Sequence, residues 1–238
     1  MILETKGLSK SFGSLVALAD ASFQVAEGEI FGIAGPNGAG KSTLFNVIAG
    51  FYPPSAGKVF FQGRDITGFS PHRICHRGIA RTFQVPTTFH SVSIYDNIRV
   101  GAIFGGGSGE RVAEVLDLLN LNRKAHAPAQ NLDLYTTKLI MLGAALATDC
   151  RLLMLDEPMA GLSLVEIEDF LGLVRRINEE WKITVIIIEH LLDILIGVTQ
   201  RMLILHDGQV LYLGPSEQVT QDRQVVEVYL GKMEGPDA

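Results

Sequence analysis

The segment GPNGAGKST, residues 35–43, constrains the fold of this chain more than any other stretch. It follows the apolar run from Ile30 to Ala34 and leads into the apolar positions of Leu44 to Ala49. This order predicts a buried strand, a glycine-rich loop and a helix. Glycines in the loop allow positive φ and a close approach of the backbone to a ligand. The N–H groups of such a loop and of the following helix converge on the phosphates of a nucleotide.

The spacing of the loop suggests a role for several of its side chains. Lys41 is predicted to reach the β- and γ-phosphates, the Ser42 hydroxyl to ligate Mg²⁺, and Thr43 to lie near the α-phosphate. The candidate nucleotide-binding residues of the loop are Gly35, Asn37, Gly38, Ala39, Gly40, Lys41, Ser42 and Thr43. The alternative is a glycine-rich turn with a solvated lysine. The complete eight-residue pattern between a strand and a helix favours a phosphate-binding loop.

The composition restricts the possible partners and the cellular setting. A length of 238 residues permits one large α/β domain, or a domain with an inserted subdomain. The net charge is −6 and no block of lysine and arginine occurs, so nucleic acid is not expected as a partner. Cys75 and Cys150 have no metal-ligand spacing, which predicts reduced thiols in the cytosol.

No targeting or membrane-spanning segment is expected. The first 13 residues lack the pattern of a signal peptide, and the most apolar region, 183–205, is interrupted by charged residues. The mean hydropathy is nevertheless positive at +0.25, which indicates apolar surface for contact with partners.

The N-terminal residues predict a hairpin beside the nucleotide. Residues 2–10 and 15–24 alternate as strands do and flank Phe12 and Gly13. An aromatic ring just before the phosphate-loop strand can stack on adenine. The alternative for Phe12 is an ordinary core residue at the tip of the hairpin.

The middle of the chain predicts a change from strands to helices. Residues 85–148 show little strand pattern and contain a glycine-rich break at 105–109 that we interpret as a connection between helices. We therefore predict a nucleotide-binding core of residues 1–84 and 149–238 and a helical subdomain of residues 85–148. The elements predicted in and around this region are strands at 58–61 and 80–84 and helices at 71–78, 110–119 and 136–147.

Two further strands end in polar residues suited to catalysis. A run from Leu152 to Leu155 ends in Asp156 and Glu157, and the carboxyl ends of parallel strands are where ligands bind in open α/β sheets. Asp156 can hold the Mg²⁺ shell and Glu157 can polarise an attacking water; the alternative is a simple turn. The strand at 185–188 leads to His190, which can donate to a γ-phosphate or be a satisfied core histidine.

The remaining predicted elements complete the chain. They are a helix at 164–180, strands at 201–205 and 210–213 joined by the turn 206–209, a helix at 223–230, and a disordered polar tail.

Taken together, these motifs resemble the ATP-binding subunit of ABC transporters over essentially the whole chain. Phe12 matches the adenine-stacking aromatic position, GPNGAGKST the Walker A motif, Gln84 in RTFQ the Q-loop, LLMLDEP the Walker B motif with its catalytic glutamate, and His190 the switch histidine. The segments GIARTFQ and VVEVYLG are similar to those of the ATPases of branched-chain amino acid importers and their amide or urea relatives.

The resemblance implies a fold, a chemistry and a set of partners. The fold is an α/β P-loop NTPase (RecA-like) core with an antiparallel β subdomain and an inserted α-helical subdomain. The cofactors are ATP and Mg²⁺. The implied catalytic residues are Glu157, His190 and Gln84, the metal ligands are Ser42, Gln84 and Asp156, and Phe12 and Val16 join the loop in binding nucleotide. The implied partners are permease transmembrane subunits, a second ABC ATPase and, indirectly, a solute-binding protein, at the cytoplasmic face of the cell membrane.

The chain departs from the family at the signature motif LSGGQ, which aligns with residues 132–136. In the family this motif offers a serine hydroxyl and glycine N–H groups to the γ-phosphate held by the other subunit of a head-to-tail dimer. Asp133 instead brings negative charge and Tyr135 a ring, while Ser163 replaces a common aspartate of the D-loop. We therefore favour a heterodimer, in which the partner supplies an intact signature, over a slowly hydrolysing homodimer.

Three further alternatives concern partners and activity. The apolar residues Val85, Pro86, Phe89, Val92, Ile94 and Tyr95 form either a docking surface for a membrane subunit or the core of the subdomain. One rival function is a soluble ABC ATPase without transport, but the tandem copies or coiled-coil inserts of such proteins are absent from the sequence. The other is a regulatory subunit that scarcely hydrolyses ATP.

Overall fold

In the computed structural model, which describes residues 1–230, the chain begins with the predicted antiparallel hairpin. Its first strand pairs on its other edge with a third strand. The four-stranded antiparallel sheet has the order β2 (Leu15–Val25), β1 (Leu3–Phe12), β4 (Ala56–Phe61), β5 (Arg64–Asp65). The next strand, β3, is buried along its whole length, as its continuous apolar sequence predicts. The elements of residues 1–68 are β1 (Leu3–Phe12), β2 (Leu15–Val25), β3 (Ile30–Ala34), α1 (Lys41–Ile48), β4 (Ala56–Phe61) and β5 (Arg64–Asp65).

Residues 69–185 form a second unit in which helices dominate. Two strands of this unit pair in parallel, with Ile79 opposite Leu152. Gly101 allows a close helix contact, because a Cβ there would lie 1.8 Å from the Ala144 carbonyl oxygen. The elements are α2 (Pro71–Cys75), β6 (Ile79–Arg81), α3 (Ile94–Gly105), α4 (Gly109–Leu118), a 3₁₀ turn (Asn122–Lys124), α5 (Leu134–Leu146), β7 (Leu152–Asp156) and α6 (Leu164–Trp181).

The chain returns to the first unit at Ile186, within the strand β8 (Thr184–Ile188). In this unit β10 (Gln209–Pro215), β9 (Arg201–His206), β3 and β8 lie side by side, and β3 runs parallel to β9. Asp207 and Gly208 connect β9 and β10 with φ of 47° and 76°, as a two-residue hairpin of the primed type requires. The elements are α7 (Leu192–Ile196), β9 (Arg201–His206), β10 (Gln209–Pro215), a 3₁₀ turn (Ser216–Gln221) and α8 (Arg223–Leu230).

Most predicted elements are confirmed, and the differences have local causes. The strand predicted over 80–84 ends at Arg81, and Pro86 then disfavours a continuing ladder because it has no N–H to donate. The helix predicted over 71–78 ends at Cys75, since Gly78 has φ of 95° and lies outside helical backbone. The predicted disordered tail, residues 231–238, lies outside the described residues. The domain boundaries at 84/85 and 148/149 remain a prediction.

Some helices of the chain, such as α5, are largely apolar. Across residues 1–230, every helix is too short or too polar to cross a lipid bilayer.

Candidate nucleotide-binding site

The loop between β3 and α1 has two positions that only glycine tolerates. Gly35 has φ of 147°, and a Cβ there would lie 2.2 Å from the Leu205 carbonyl oxygen. Gly40 has φ of 100°, and its Cβ would lie 2.5 Å from the Ala17 carbonyl oxygen. Both obstacles are backbone atoms, which cannot move aside without disturbing a strand. Gly38 in the middle of the loop faces open space, so the loop is tight at both ends and open between them.

The N-terminus of α1 follows this loop directly and is suited to hold an anion. The first N–H groups of a helix have no partner within the helix, and they carry the positive end of its dipole. Side chains cap α3, α4, α5 and α6, whereas α1, like the short helices α2 and α7, has no side-chain cap in the part of the chain that the structure describes. A phosphate at this end of α1 would satisfy these amides.

Lys41 is the first residue of α1, and its side chain reaches back to the loop. Its buried ammonium donates to the carbonyl oxygens of Gly35 and Pro36 at 2.7 and 3.0 Å, and it lies 3.5 Å from Nδ1 of His190. The Glu189 N–H donates to Ile33, which brings the end of β8 beside the end of β3 and places His190 next to the loop. The structure therefore brings Lys41 and His190 together, although 149 residues separate them.

The remaining loop side chains differ in exposure. Asn37 and Ser42 are exposed, Thr43 is half-buried, and Ala39 is buried with its N–H on the Pro36 carbonyl. An exposed Ser42 hydroxyl at the start of α1 suits the predicted role as a metal ligand.

Phe12 and Val16 lie near the tip of the β1–β2 hairpin. They are 42% and 54% exposed, which is not the environment of core residues. The Phe12 ring meets Tyr52 edge-on with centroids 5.3 Å apart, and the Lys10 ammonium lies 5.0 Å from its centroid. Because the Ala17 carbonyl borders Gly40, the strand that carries Val16 runs directly beside the end of the loop.

In the second unit, the structure brings together Asp156, Glu157 and Gln84. Both carboxylates are buried at the end of β7, and the Gln84 side-chain amide donates to Glu157 Oε2 at 2.5 Å. Glu157 has φ of 47°, in the left-handed region that non-glycine residues rarely occupy. Such backbone conformations are costly and concentrate at functional sites.

Two cations near these carboxylates were missed by the sequence reasoning. Nη2 of Arg81 donates to Asp156 Oδ2 at 2.7 Å, and the buried Lys138 ammonium donates to the Pro158 carbonyl oxygen at 2.7 Å. Two signals in the sequence could have indicated these cations. Arg81 ends the strand that precedes Gln84, and Lys138 is the single charged residue of the largely apolar α5.

The segment aligned with the signature motif forms the start of α5. Asp133 is the N-cap of the helix, and its carboxylate accepts from the N–H and the hydroxyl of Thr136 at 2.6 and 2.9 Å. The hydrogen bond from the Thr136 N–H lowers the pKa of Asp133, so this cap carries a negative charge at neutral pH. Ser163 caps α6 in the same way, within a capping box with Glu166.

The residues present fit a magnesium–nucleotide. Among the described residues, no group of three or more His, Cys, Asp or Glu side chains could hold a metal by itself. Mg²⁺ in nucleotide sites is held by a few protein oxygens together with waters and phosphate oxygens. The exposed Ser42 hydroxyl at the start of α1 is an oxygen of this type.

Comparison with known proteins gives the class to which this fold and these motifs belong. Residues 18–160 match the family described as ABC transporter. The chain belongs to the ABC transporter family and is one of its ATPases. The predicted α/β P-loop NTPase fold is confirmed, as is the resemblance on which the prediction of an ATP-binding ATPase was based.

Individual relatives match over almost their whole length. The chain is 36% identical to the probable branched-chain amino acid transport ATP-binding protein LivG of Archaeoglobus fulgidus, over 97% of this chain and 95% of the relative. It is 33% identical to the lipopolysaccharide export system ATP-binding protein LptB of Acidithiobacillus ferridurans, over 97% of each. The solved ADP conformation of MJ1267, an ATP-binding cassette of an ABC transporter, matches with a TM-score of 0.89 and 34% identity, over 97% of this chain and 99% of that one.

Proposed function

We propose that this chain is the ATP-hydrolysing subunit of an importer of branched-chain amino acids, bound peripherally at the cytoplasmic face of the membrane. The observation that carries the solute class is the 36% identity to a LivG protein over 97% of the chain. The ATPase chemistry is supported independently by the geometry of the loop at residues 35–43 and by the buried carboxylates at the end of β7.

In this proposal the first unit holds the nucleotide. The exposed face of Phe12 stacks on adenine, with Val16 beside it, and the amides at the start of α1 hold the phosphates. Lys41 exchanges its carbonyl partners in the loop for oxygens of the β- and γ-phosphates, a stronger charge-assisted contact. Ser42, Gln84 and Asp156 are the residues that would hold Mg²⁺, which would supply positive charge to the phosphoryl group during transfer.

Glu157 and His190 are the side chains proposed to act in hydrolysis. Glu157 is the proposed base that polarises the attacking water, and the amide of Gln84 holds one of its oxygens in place. His190 is proposed to donate to the γ-phosphate, as its position beside the Lys41 ammonium supports. ATP then favours the closed form of a dimer, and hydrolysis removes the γ-phosphate contacts that stabilise closure.

The surface that follows Gln84 is proposed to bind the permease. Val85 and Phe89 are 70% and 62% exposed, whereas Ile94 in the same segment is fully buried. The segment thus supplies both subdomain core and exposed apolar surface, and the exposed part fits the apolar side of a cytoplasmic helix of a membrane subunit. The solute-binding protein acts through the permease and does not contact this chain.

The second ATPase is proposed to be a different chain. Asp133 presents a charged carboxylate at the start of α5, where a γ-phosphate would need hydrogen-bond donors. A partner with an intact signature would complete the nucleotide site of this chain, and this chain would complete the partner's site poorly. The same observation supports the alternative of a regulatory subunit that hydrolyses little ATP.

The ATPase assignment is tested by binding and hydrolysis measured separately on Glu157→Gln. Removing the proposed base should leave Mg²⁺-dependent ATP binding within about twofold and slow hydrolysis by about 10²–10⁴-fold in the presence of the partner ATPase. Glu168→Gln, an exposed carboxylate on α6, is the matched control and should change neither quantity. Absence of ATP binding by the unmodified chain in calorimetry would contradict the proposal.

The solute class requires the complete transporter. We expect leucine uptake into proteoliposomes that contain this chain, the partner ATPase and the permease subunits encoded beside it. ATP-driven release of lipopolysaccharide, without amino-acid uptake, would favour instead the function named for the LptB relative.

A further inference from the structure

A buried ion pair joins the ends of β6 and β7. Arg81 is the last residue of β6 and Asp156 the last of β7, and the strands run parallel with Arg81 opposite Met154. Nη2 of Arg81 lies 2.7 Å from Asp156 Oδ2, and the two side chains are 9% and 6% exposed. The guanidinium carbon also lies 5.3 Å from the centroid of the Phe83 ring. The Arg81 side chain is therefore held between a carboxylate and an aromatic ring.

Stability alone is a poor explanation for this pair. Moving two charges out of water is costly, and replacing a buried ion pair by apolar residues of similar volume is often neutral or stabilising. An apolar pair at the ends of β6 and β7 would extend the buried strands around it without that cost. The charged pair therefore points to a requirement for the orientation of the carboxylate itself.

We propose that Arg81 is a positioning residue for Asp156 as a metal ligand. The guanidinium occupies Oδ2 and fixes the rotation of the carboxylate, which leaves Oδ1 as the oxygen that would act toward a bound Mg²⁺. This inference rests on the proposed function, in which Asp156 is a ligand of that ion. It also gives β6 a second role, because the strand that carries Arg81 leads within three residues to Gln84 and its hydrogen bond to Glu157.

The positive charge of Arg81 would also repel a metal ion. This repulsion would weaken metal binding, whereas orientation of the Asp156 carboxylate would strengthen it. An ion held at Oδ1 would have the carboxylate between it and the guanidinium, and the negative charge of the carboxylate would screen this repulsion. Loss of orientation acts directly on the ligand atom. Partners of this kind, one shell beyond the ligands, typically change metal affinity by about 10–100-fold when removed. Positioning is therefore expected to dominate.

The test is a titration with Mn²⁺ followed by electron paramagnetic resonance, in the presence of the non-hydrolysable nucleotide AMP-PNP. Arg81→Met keeps the length of the side chain and removes the charge, and we expect it to weaken Mn²⁺ binding about tenfold or more. Arg81→Lys restores a cation without the planar fork and should recover part of the loss. Arg176→Met, which breaks an exposed ion pair with Glu180 on α6, should leave Mn²⁺ binding unchanged.

The outcomes separate this inference from the proposed function. If the unmodified chain with AMP-PNP takes up no Mn²⁺, the proposed function itself fails. If it binds Mn²⁺ and Arg81→Met binds it equally well or more tightly, only the positioning role is overturned. If circular dichroism shows that Arg81→Met does not fold, Arg81→Lys is the variant that tests the positioning role. An Mn²⁺ affinity of Arg81→Lys equal to that of the unmodified chain would overturn this role, because the fixed geometry of the guanidinium would not be needed.

Discussion

Gly35 shows how a single backbone position controls the nucleotide loop. A side chain at this residue meets the Leu205 carbonyl oxygen on β9, while the φ of 147° lies in a region that side chains disfavour. The steric clash with the Leu205 carbonyl oxygen and the unfavourable φ therefore both oppose any substitution of Gly35.

We predict that Gly35→Ala destabilises the chain by at least about 2 kcal/mol and abolishes ATP binding, because β9 or the loop must move. Urea unfolding and calorimetric ATP titration measure the two effects. Gly63→Ala is the matched control, since Gly63 has φ of 73° but no atom within 4 Å of its Cβ, and strain alone should cost about 1 kcal/mol. Equal effects of the two substitutions would contradict the steric argument.

Glu157 also has a backbone conformation that residues with a side chain rarely adopt. The positive φ of Glu157 turns the chain sharply after β7. The Lys138 ammonium donates a hydrogen bond to the carbonyl oxygen of Pro158, the residue that follows Glu157. The buried lysine thus links α5 to the turn that carries the proposed base.

At the scale of secondary structure, the start of α5 depends on Asp133. The carboxylate accepts from Thr136, which satisfies one of the N–H groups that a helix leaves without a partner. This cap explains why α5 begins at Leu134, two residues before the predicted start at Thr136.

We predict that Asp133→Ala lowers the free energy of unfolding by about 1 kcal/mol at pH 7, and that Asp133→Ser, another good N-cap, restores most of it. The Thr136 N–H lowers the pKa of Asp133 below its ordinary 3.8. The contribution of the charged cap is therefore present above pH 3.8 and is lost as the pH falls through the lower folded value. Urea unfolding at pH 7 and pH 3 measures this, and a penalty of equal size at both would refute it.

The glycines within helices differ in whether they are needed. Gly172 lies in the middle of α6 and has no atom within 4 Å of its Cβ, whereas the Cβ of Gly101 in α3 would lie 1.8 Å from the Ala144 carbonyl oxygen. Gly172→Ala should stabilise the chain by about 0.5–1 kcal/mol, because alanine favours the helix. Gly101→Ala should destabilise it by separating α3 from α5. Unfolding followed by the fluorescence of Trp181, the single tryptophan, reports both, and a loss of stability in Gly172→Ala would contradict this account.

At the scale of the whole molecule, the proposed asymmetry of the dimer makes a prediction about turnover. The chain alone should hydrolyse ATP slowly, because the start of α5 offers a partner's phosphate a carboxylate and no glycine amides.

A triple variant with Asp133→Ser, Leu134→Gly and Tyr135→Gly supplies a serine hydroxyl and glycine amides as hydrogen-bond donors. It should raise the ATPase rate of the chain alone by about tenfold or more. The rate should rise more steeply than linearly with protein concentration, as dimerisation requires. Asp133→Ser alone is the control for the cap. Robust turnover by the unmodified chain without a partner would refute the proposed role of residues 132–136.

Much of the site could be predicted because its signals are local. The loop at residues 35–43 and the acidic pair after β7 each follow a buried strand, and the short-range pattern of apolar residues reveals such strands. No bounds were predicted for α3, β5, α7 or the 3₁₀ turns. All of these except the 12-residue α3 have too few residues for a clear period. Arg81 and Lys138 were missed because nothing adjacent in the chain indicates their partners.

The amino-acid sequence by itself determined the class of chemistry, the order of the main elements and the identity of the phosphate loop, since each depends on residues within about ten positions of one another. Only the tertiary structure decided that Gln84 contacts Glu157, that Arg81 contacts Asp156 and that His190 lies beside Lys41, across separations of 73, 75 and 149 residues. Such contacts follow from which strands pair and in what register, and these depend on the packing of the whole core.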